Sequence, residues 1–242
     1  MRRILLLSMA LLLIAMPALG QLGDLMKRAE SSMNSSTQNT SGLSDDKIAA
    51  GLKEALQLST SKAVAATGRP DGFLKNESIK ILLPSKLNTV GKGLRMMGMG
   101  AKVDELEVSM NRAAEQATPA AKGIFLSALR KMSFEDARKI LTGGNTSATD
   151  YFKRTSSGDL TTAFSPIVKQ SMKNVGVVKQ YNSVVQSAPG GSALAGSFDI
   201  DKYVVGKTLD GLFFMLGQEE QNIRKNPAEQ TTSLLKEVFG RK

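Results

Sequence analysis

The chain has 242 residues, 41% hydrophobic and 22% charged, a balance that suits a folded protein and excludes an intrinsically disordered one. It contains no Cys and no His, which removes Cys–His and Ser–His nucleophilic catalysis, thiol redox chemistry, disulfides, c-type haem attachment and the usual zinc sites. The formal charge is +10, and with aromatics at 5% and no Trp the core must be filled by Leu, Met, Val and Ala, which suits helices packed through small residues.

The N-terminus has the three parts of an export signal. Arg2-Arg3 is a positive start, and Pro17-Ala18-Leu19-Gly20 offers a small-residue cleavage pattern. The apolar run between them, Ile4 to Ala15, falls short of the ~20 residues a membrane span needs. The sequence therefore predicts a signal peptide over residues 1–20, cut after Gly20, and a destination in the periplasm or outside the cell; the competing reading is a retained membrane anchor. No Cys follows Gly20, which excludes a lipid-anchored N-terminus. Removing Arg2 and Arg3 leaves a formal charge of +8 (10 − 2). Outside the cytoplasm the polyanions a basic protein meets are lipid headgroups, lipopolysaccharide and cell-wall polymers, not nucleic acid. The plainer reading is a basic surface that keeps the protein soluble.

Residues 21–43 combine a short helical start with a Ser/Thr/Asn-rich stretch that reads as a flexible segment. Residues 44–240 read as one helical domain. Ser44 is suited to cap a helix that begins with Asp45 and Asp46 and runs to Gly68. Arg69-Pro70-Asp71-Gly72 is a turn. Ile79, Ile81 and Leu83 carry the best β signal of the first half, ended by Pro84, and a lone strand supports at most a small ribbon near 79–83. Leu87, Val90, Leu94 and Met97 mark the next helix, broken at Gly98 or Gly100.

Val103 to Ala117 is then a helix, and Thr118 reads as the N-cap of its successor, which Pro119 begins. Ser133-Phe134-Glu135-Asp136 resembles a capping box with Asp in the usual Glu place, and its helix ends at Gly143-Gly144. A short helix over Thr146–Arg154, others over about 159–175 and 177–187, and a small-residue loop over 188–198 follow. Asp199 or Asp201 opens what reads as the longest helix, to about Lys225. Asn226-Pro227-Ala228-Glu229 starts the last one. The fold class is all-α, a compact multi-helix domain, with no fixed-period repeat.

Several blocks together resemble a known family. They are Asp71-Gly72-Phe73 with Ile79-Lys80-Ile81, Val103-Asp104-Glu105-Leu106, Met110-Asn111-Arg112-Ala113-Ala114-Glu115, and Tyr151-Phe152. Phe164-Ser165-Pro166-Ile167-Val168, Leu209-Asp210-Gly211-Leu212-Phe213, Glu219-Glu220, and Asn226-Pro227 with Thr231-Thr232 complete the series. The chain resembles the secreted bacterial family called domain of unknown function 4197, from about Ser44 to Gly240, although Leu82-Leu83-Pro84 stands where that family has Pro-Leu-Pro. The resemblance implies an exported bacterial protein and carries no assigned activity.

Two constellations can carry chemistry. On the 103–117 helix, Leu106, Met110, Ala113 and Ala117 form an apolar stripe, Asp104, Asn111 and Glu115 line the opposite side, and Glu105 and Arg112 lie between. A solvated polar face is the plain expectation. The functional alternative is a cleft in which Asp104, Asn111, Arg112 and Glu115 bind a sugar or amine, or run hydrolase or lyase chemistry. Further upstream, Lys80, Lys86, Lys92 and Arg95 belong to a basic segment suited to anions such as anionic lipid or lipopolysaccharide. The glycines at 91, 93, 98 and 100 match no nucleotide-binding fingerprint, and no acidic stretch has EF-hand spacing. The sequence thus points to an exported envelope protein acting as a non-catalytic binding or interaction module. It implies no cofactor and no metal, and it leaves the partner open among envelope protein, lipid and cell-wall component.

Overall fold

The computed structural model describes residues 45–174 and 198–226. Within them the fold is all-α: α1 (Asp45–Gly68), α2 (Asn88–Met96), α3 (Gly100–Ala117), α4 (Ala121–Lys131), α5 (Phe134–Thr142), α6 (Ser147–Asn174) and α7 (Ile200–Lys225). Short 3₁₀ turns at Ser85–Leu87 and Thr118–Ala120 lead into α2 and α4. The stretches read as an export signal (1–20), a flexible segment (21–43), a helix over 177–187, a loop over 188–197 and a last helix from Asn226 lie outside the described residues, apart from Asn226 itself, as do the side chains of Lys86 and Val90.

The longest helices, α6 and α7, pack against each other; α1 lies on α7, and α3 lies on α6. Phe125, Phe152 and Phe213 join α4, α6 and α7 edge to face, with ring centroids 5.0 Å (Phe125–Phe152) and 6.3 Å (Phe125–Phe213) apart. With so few rings, Leu, Met and Ala do the remaining filling: Leu52, Leu106, Met110, Leu160 and Met172 are fully enclosed. Polar residues inside α1 are made compatible with burial locally. Ser59, Thr60 and Thr67 each donate their hydroxyl to the carbonyl four residues earlier, at 3.0, 2.9 and 2.7 Å.

The α2–α3 connection is a Schellman turn. Met99 N–H donates to Leu94 O at 2.8 Å and Gly98 N–H to Arg95 O at 3.2 Å, with Gly98 at φ 78° in the left-handed region. The capping box of α5 forms as the sequence predicts: Ser133 Oγ accepts from Asp136 N–H, and Asp136 Oδ2 accepts from Ser133 N–H, both at 3.1 Å.

Three expectations are corrected. Thr118 is not an N-cap; it sits in helical geometry and its hydroxyl bonds back to Ala114 O at 2.9 Å, so a 3₁₀ turn joins α3 to α4 without a break. The separate helices expected over 146–154 and 159–175 are one 28-residue helix, α6. Gly158 and Pro166 do not interrupt it, and Pro166 is exposed, so water can satisfy the carbonyl its missing N–H leaves unpaired. At 26 residues α7 is therefore not the longest helix, although Asp199 does cap it, accepting from Lys202 N–H at 2.9 Å.

Candidate functional site

No strand forms at 79–83 among the described residues: Ile79 closes a turn on Asn76 O, and the partner of Ile81 and Leu83 is a helix. A stripe of three α3 side chains, spaced four residues apart, takes up backbone of this segment and of the turn before it. Asn111 faces Ile81 on both sides: Oδ1 accepts from Ile81 N–H and Nδ2 donates to Ile81 O, each at 2.8 Å. Glu107 accepts from Leu83 N–H at 3.2 Å. Glu115 Oε1 accepts from the N–H groups of Phe73 and Leu74, both at 3.1 Å. Tyr203 of α7 donates to Leu82 O at 3.0 Å from the other direction. Ile79, Ile81 and Leu83 all enter the core; the Ile79 N–H closes a turn on Asn76 O, and side chains of α3 take up Ile81 and Leu83.

The turn before that segment fixes where Asp71 points. Asp71 has φ 65°, unusual for a residue other than glycine. A Cβ on Gly72 would lie 2.5 Å from Ala66 O and 2.6 Å from Thr67 O, so only glycine fits against the end of α1. Phe73, fully buried, then packs on Gly211 of α7, where a Cβ would come within 2.6 Å of the ring. The Asp71-Gly72-Phe73, Asn111 to Glu115 and Gly211 blocks, far apart in sequence, thus meet at one junction.

Arg112 bridges two acids there: its guanidinium lies 2.6 Å from Asp71 and 2.7 Å from Glu115. Lys75 adds a 2.7 Å contact to Asp71. The Lys75 ammonium, followed by Arg112, holds the Asp71 carboxyl below its ordinary value. Glu115, followed by Asp71, holds the Arg112 proton more tightly than usual. Two shallow clefts flank this cluster. One, of about 320 Å³, is lined by Gly68, Pro70, Arg112, Glu115, Gln116 and Pro119. The other, of about 540 Å³, runs along Arg69, Asp71, Lys75, Asn76, Glu77 and Met215.

The residues expected to form one polar face separate into two groups. Asn111 and Glu115 are buried, 0% and 4% exposed, and engaged with backbone; the solvated face expected for them does not exist. Arg112 is half-exposed and joins them through Glu115. Asp104 does not: it lies near the other end of α3, exposed, paired with Arg95 at 2.6 Å. Eleven residues of helix, roughly 16 Å, separate it from Glu115. Lys92 and Arg95 share the exposed side of α2, and Lys80 is half-buried at the end of the 76–80 turn.

Glu107 was legible in the four-residue spacing Glu107, Asn111, Glu115, a stripe that meets one neighbour along its length. Asp71 and Lys75, by contrast, join only because the turn folds back onto α3. A second buried carboxylate, Glu220 of α7, repeats the Glu115 arrangement. It accepts from the N–H groups of Ala148 and Thr149 and from the Thr149 hydroxyl, all at 2.9 Å, and pairs with Arg224. Among the described residues no three acids gather where a metal ion could sit, and no helix is long and apolar enough to cross a membrane.

The family model described as "Protein of unknown function (DUF4197)" matches residues 42–240. The chain belongs to this family. No curated protein and no solved structure matched it. In this DUF4197 protein, the Asp71-Gly72-Phe73 turn, the Asn111–Glu115 stretch and Gly211 serve one purpose: they fasten the 71–83 segment between α3 and α7.

Proposed function

We propose that this DUF4197 protein is an exported, non-catalytic binding module of the bacterial envelope. The observation that supports a non-catalytic role is the engagement of Glu115. Both of its oxygens are held, one by two backbone N–H groups and one by Arg112. A carboxylate fixed in this way stabilises a turn and has no free oxygen to take a proton from a substrate. A hydrolase built on paired acids also needs both at one cleft, and Asp104 is roughly 16 Å along the helix from Glu115. Export is supported by the Arg2-Arg3, Ile4–Ala15 and Pro17–Gly20 pattern. Peripheral association with anionic lipid or lipopolysaccharide is the form of binding favoured by the charge distribution: residues 78–103 hold Lys80, Lys86, Lys92, Arg95 and Lys102 and no acid.

The test is to purify the protein from its native envelope, identify co-purifying molecules by mass spectrometry, and assay the same sample against ester, glycoside and phosphate substrates. The proposal expects a reproducible bound component and no turnover. Turnover lost on Glu115→Gln or Asp104→Asn would overturn it, as would an N-terminus still beginning at Met1.

A further inference from the structure

The α2–α3 turn presents two methionines to solvent. Met96 is 85% exposed and Met97 57% exposed, the two most exposed large hydrophobic residues among those described. The turn itself is not loose. Its Schellman bonds, from Met99 to Leu94 and from Gly98 to Arg95, draw Met99 towards the core, while Leu94 is fully buried. The same geometry leaves Met96 and Met97 on the outside. Folding gains nothing from an unbranched apolar side chain held in water, so the pair is available for something that replaces that water.

The surroundings select what that is. Lys92 lies one turn below Met96 on the same face of α2 and makes no ion pair among the described residues. Arg95 is beside them, tied to Asp104 at 2.6 Å with both side chains about half exposed. Between Ser78 and Val103 the chain has five cations and no acid. An apolar tip with Lys92 and Arg95 beside it matches the interface of an anionic bilayer, where Met can enter the headgroup boundary while Lys and Arg remain at the phosphates.

We propose that the Met96-Met97 turn docks on anionic phospholipid, with the two methionines as a shallow wedge and Lys92 as the main steering charge. This rests on the binding-module reading and names its partner. Arg95 contributes only when Asp104 releases it, so loss of that ion pair should strengthen docking.

The test uses the full chain purified from its native envelope, since every comparison is between it and variants that share the rest of the molecule. Co-sedimentation is measured with phosphatidylglycerol/phosphatidylethanolamine vesicles and with phosphatidylcholine vesicles. Binding is expected to the first, weakened by salt. The double substitution Met96→Ser/Met97→Ser should reduce it about tenfold, and Lys92→Glu on the order of thirtyfold. Asp104→Asn should strengthen it. Because the protein has no Trp, Met97→Trp supplies a single reporter whose emission should shift to the blue on anionic vesicles only. Anionic binding that survives the double Ser substitution overturns the assignment of this turn while leaving lipid as partner. Absence of any vesicle binding overturns lipid as partner and leaves the binding-module reading to the co-purification result. A blue shift without vesicles that grows with protein concentration would instead assign the turn to self-association.

Discussion

Asn111 and Ile81 form a closed pair: one side-chain amide both accepts from the Ile81 N–H and donates to the Ile81 carbonyl, each at 2.8 Å, with Asn111 fully buried. A primary amide is the one neutral side-chain group of this size that offers an acceptor and two donors in a plane, which is what a strand edge presents. The Asn111 Nδ2 also donates to Glu107 O at 2.8 Å, so the amide's orientation is fixed within its own helix. Replacing it with Leu should leave two backbone groups buried without partners, at about 1–3 kcal/mol each. Asn111→Asp keeps the acceptor but sets a carboxylate oxygen against the Ile81 carbonyl, and should cost at least as much. Denaturant unfolding of the two variants measures this; an unchanged midpoint in both would refute the structural role.

That pairing also explains what could and could not be read from the residues. The alternation of Ile79, Ile81 and Leu83 correctly says that these three side chains enter the core, although Ile79 itself lies in a turn closed on Asn76 O. It says nothing of what pairs with the backbone, and a strand is the usual partner. The apolar stripe Leu106, Met110, Ala113, Ala117 was legible because helical period alone defines it, and all four are fully buried. The polar side of α3 was misleading because burial there depends on a segment thirty to forty residues earlier. Charge type predicts exposure only while no distant backbone needs a partner. Asp104 fits the usual expectation and Glu115 does not, though both are acids on one helix.

Arg112 and Glu115 should be energetically coupled. Arg112→Met removes the guanidinium and leaves Glu115, 4% exposed, with only its two N–H partners. We expect a loss of about 1–3 kcal/mol, reduced from the fully buried case because the Arg112 side chain is 37% exposed. In the Glu115→Gln background the same change should cost clearly less. Additive effects across the double-mutant cycle would mean that the 2.7 Å contact is not a functioning pair.

The acid limb of stability should carry opposing contributions. Asp71 is held low by Lys75 and then Arg112, and Asp136 by the Ser133 hydroxyl. A carboxyl whose folded pKa is depressed contributes stability above its unfolded value, near 3.9, and loses it as pH falls through the folded value. Asp201 is the reverse: burial, followed by Asp199, raises its pKa, and its Oδ1 has no hydrogen-bond partner among the described residues. Its contribution is greatest below the unfolded value and declines as pH rises through the folded one. Asp71→Asn should therefore flatten the loss of stability below about pH 4, and Asp201→Asn should lessen the decline just above it. Urea midpoints across pH 2–7 would separate these, and parallel profiles for wild type and both variants would contradict the assignment.

Gly211 has no room for a side chain. A Cβ there would lie 2.6 Å from Phe73 Cε1 and 3.1 Å from Ile79 Cβ. Phe73 is fully buried and its neighbour Gly72 is pinned against carbonyls, so the ring cannot simply withdraw. Gly211→Ala should destabilise by about 1–3 kcal/mol through overpacking, even though alanine is the better helix former. Phe73→Leu in the same chain should recover part of that loss, since it removes the clashing ring edge. Calorimetric melting of the single and double variants tests the pair, and a double variant less stable than the sum of the singles would place the strain elsewhere.

Glu220 acts as a helix cap supplied by another helix. α6 begins at Ser147, and the N–H groups of Ala148 and Thr149 belong to its first turn, where no intrahelical acceptor exists. Glu220 takes both, and the positive end of the helix favours its charge. Arg224 completes the arrangement by pairing with Glu220 at 2.9 Å and donating to Ile140 O at 2.7 Å, which ties the end of α5 to the start of α6. Glu220→Gln keeps an acceptor for one of the two N–H groups but turns a donor towards the other or towards Arg224. The first turn of α6 should then open more readily than the rest of the helix. Hydrogen–deuterium exchange should show lost protection concentrated over residues 147–152, with little change across α3 or the 79–83 segment. Glu220→Ala should extend the loss into α5 through Arg224. Uniform deprotection of the whole chain at the first substitution would mean that Glu220 supports global stability without a specific hold on this helix end.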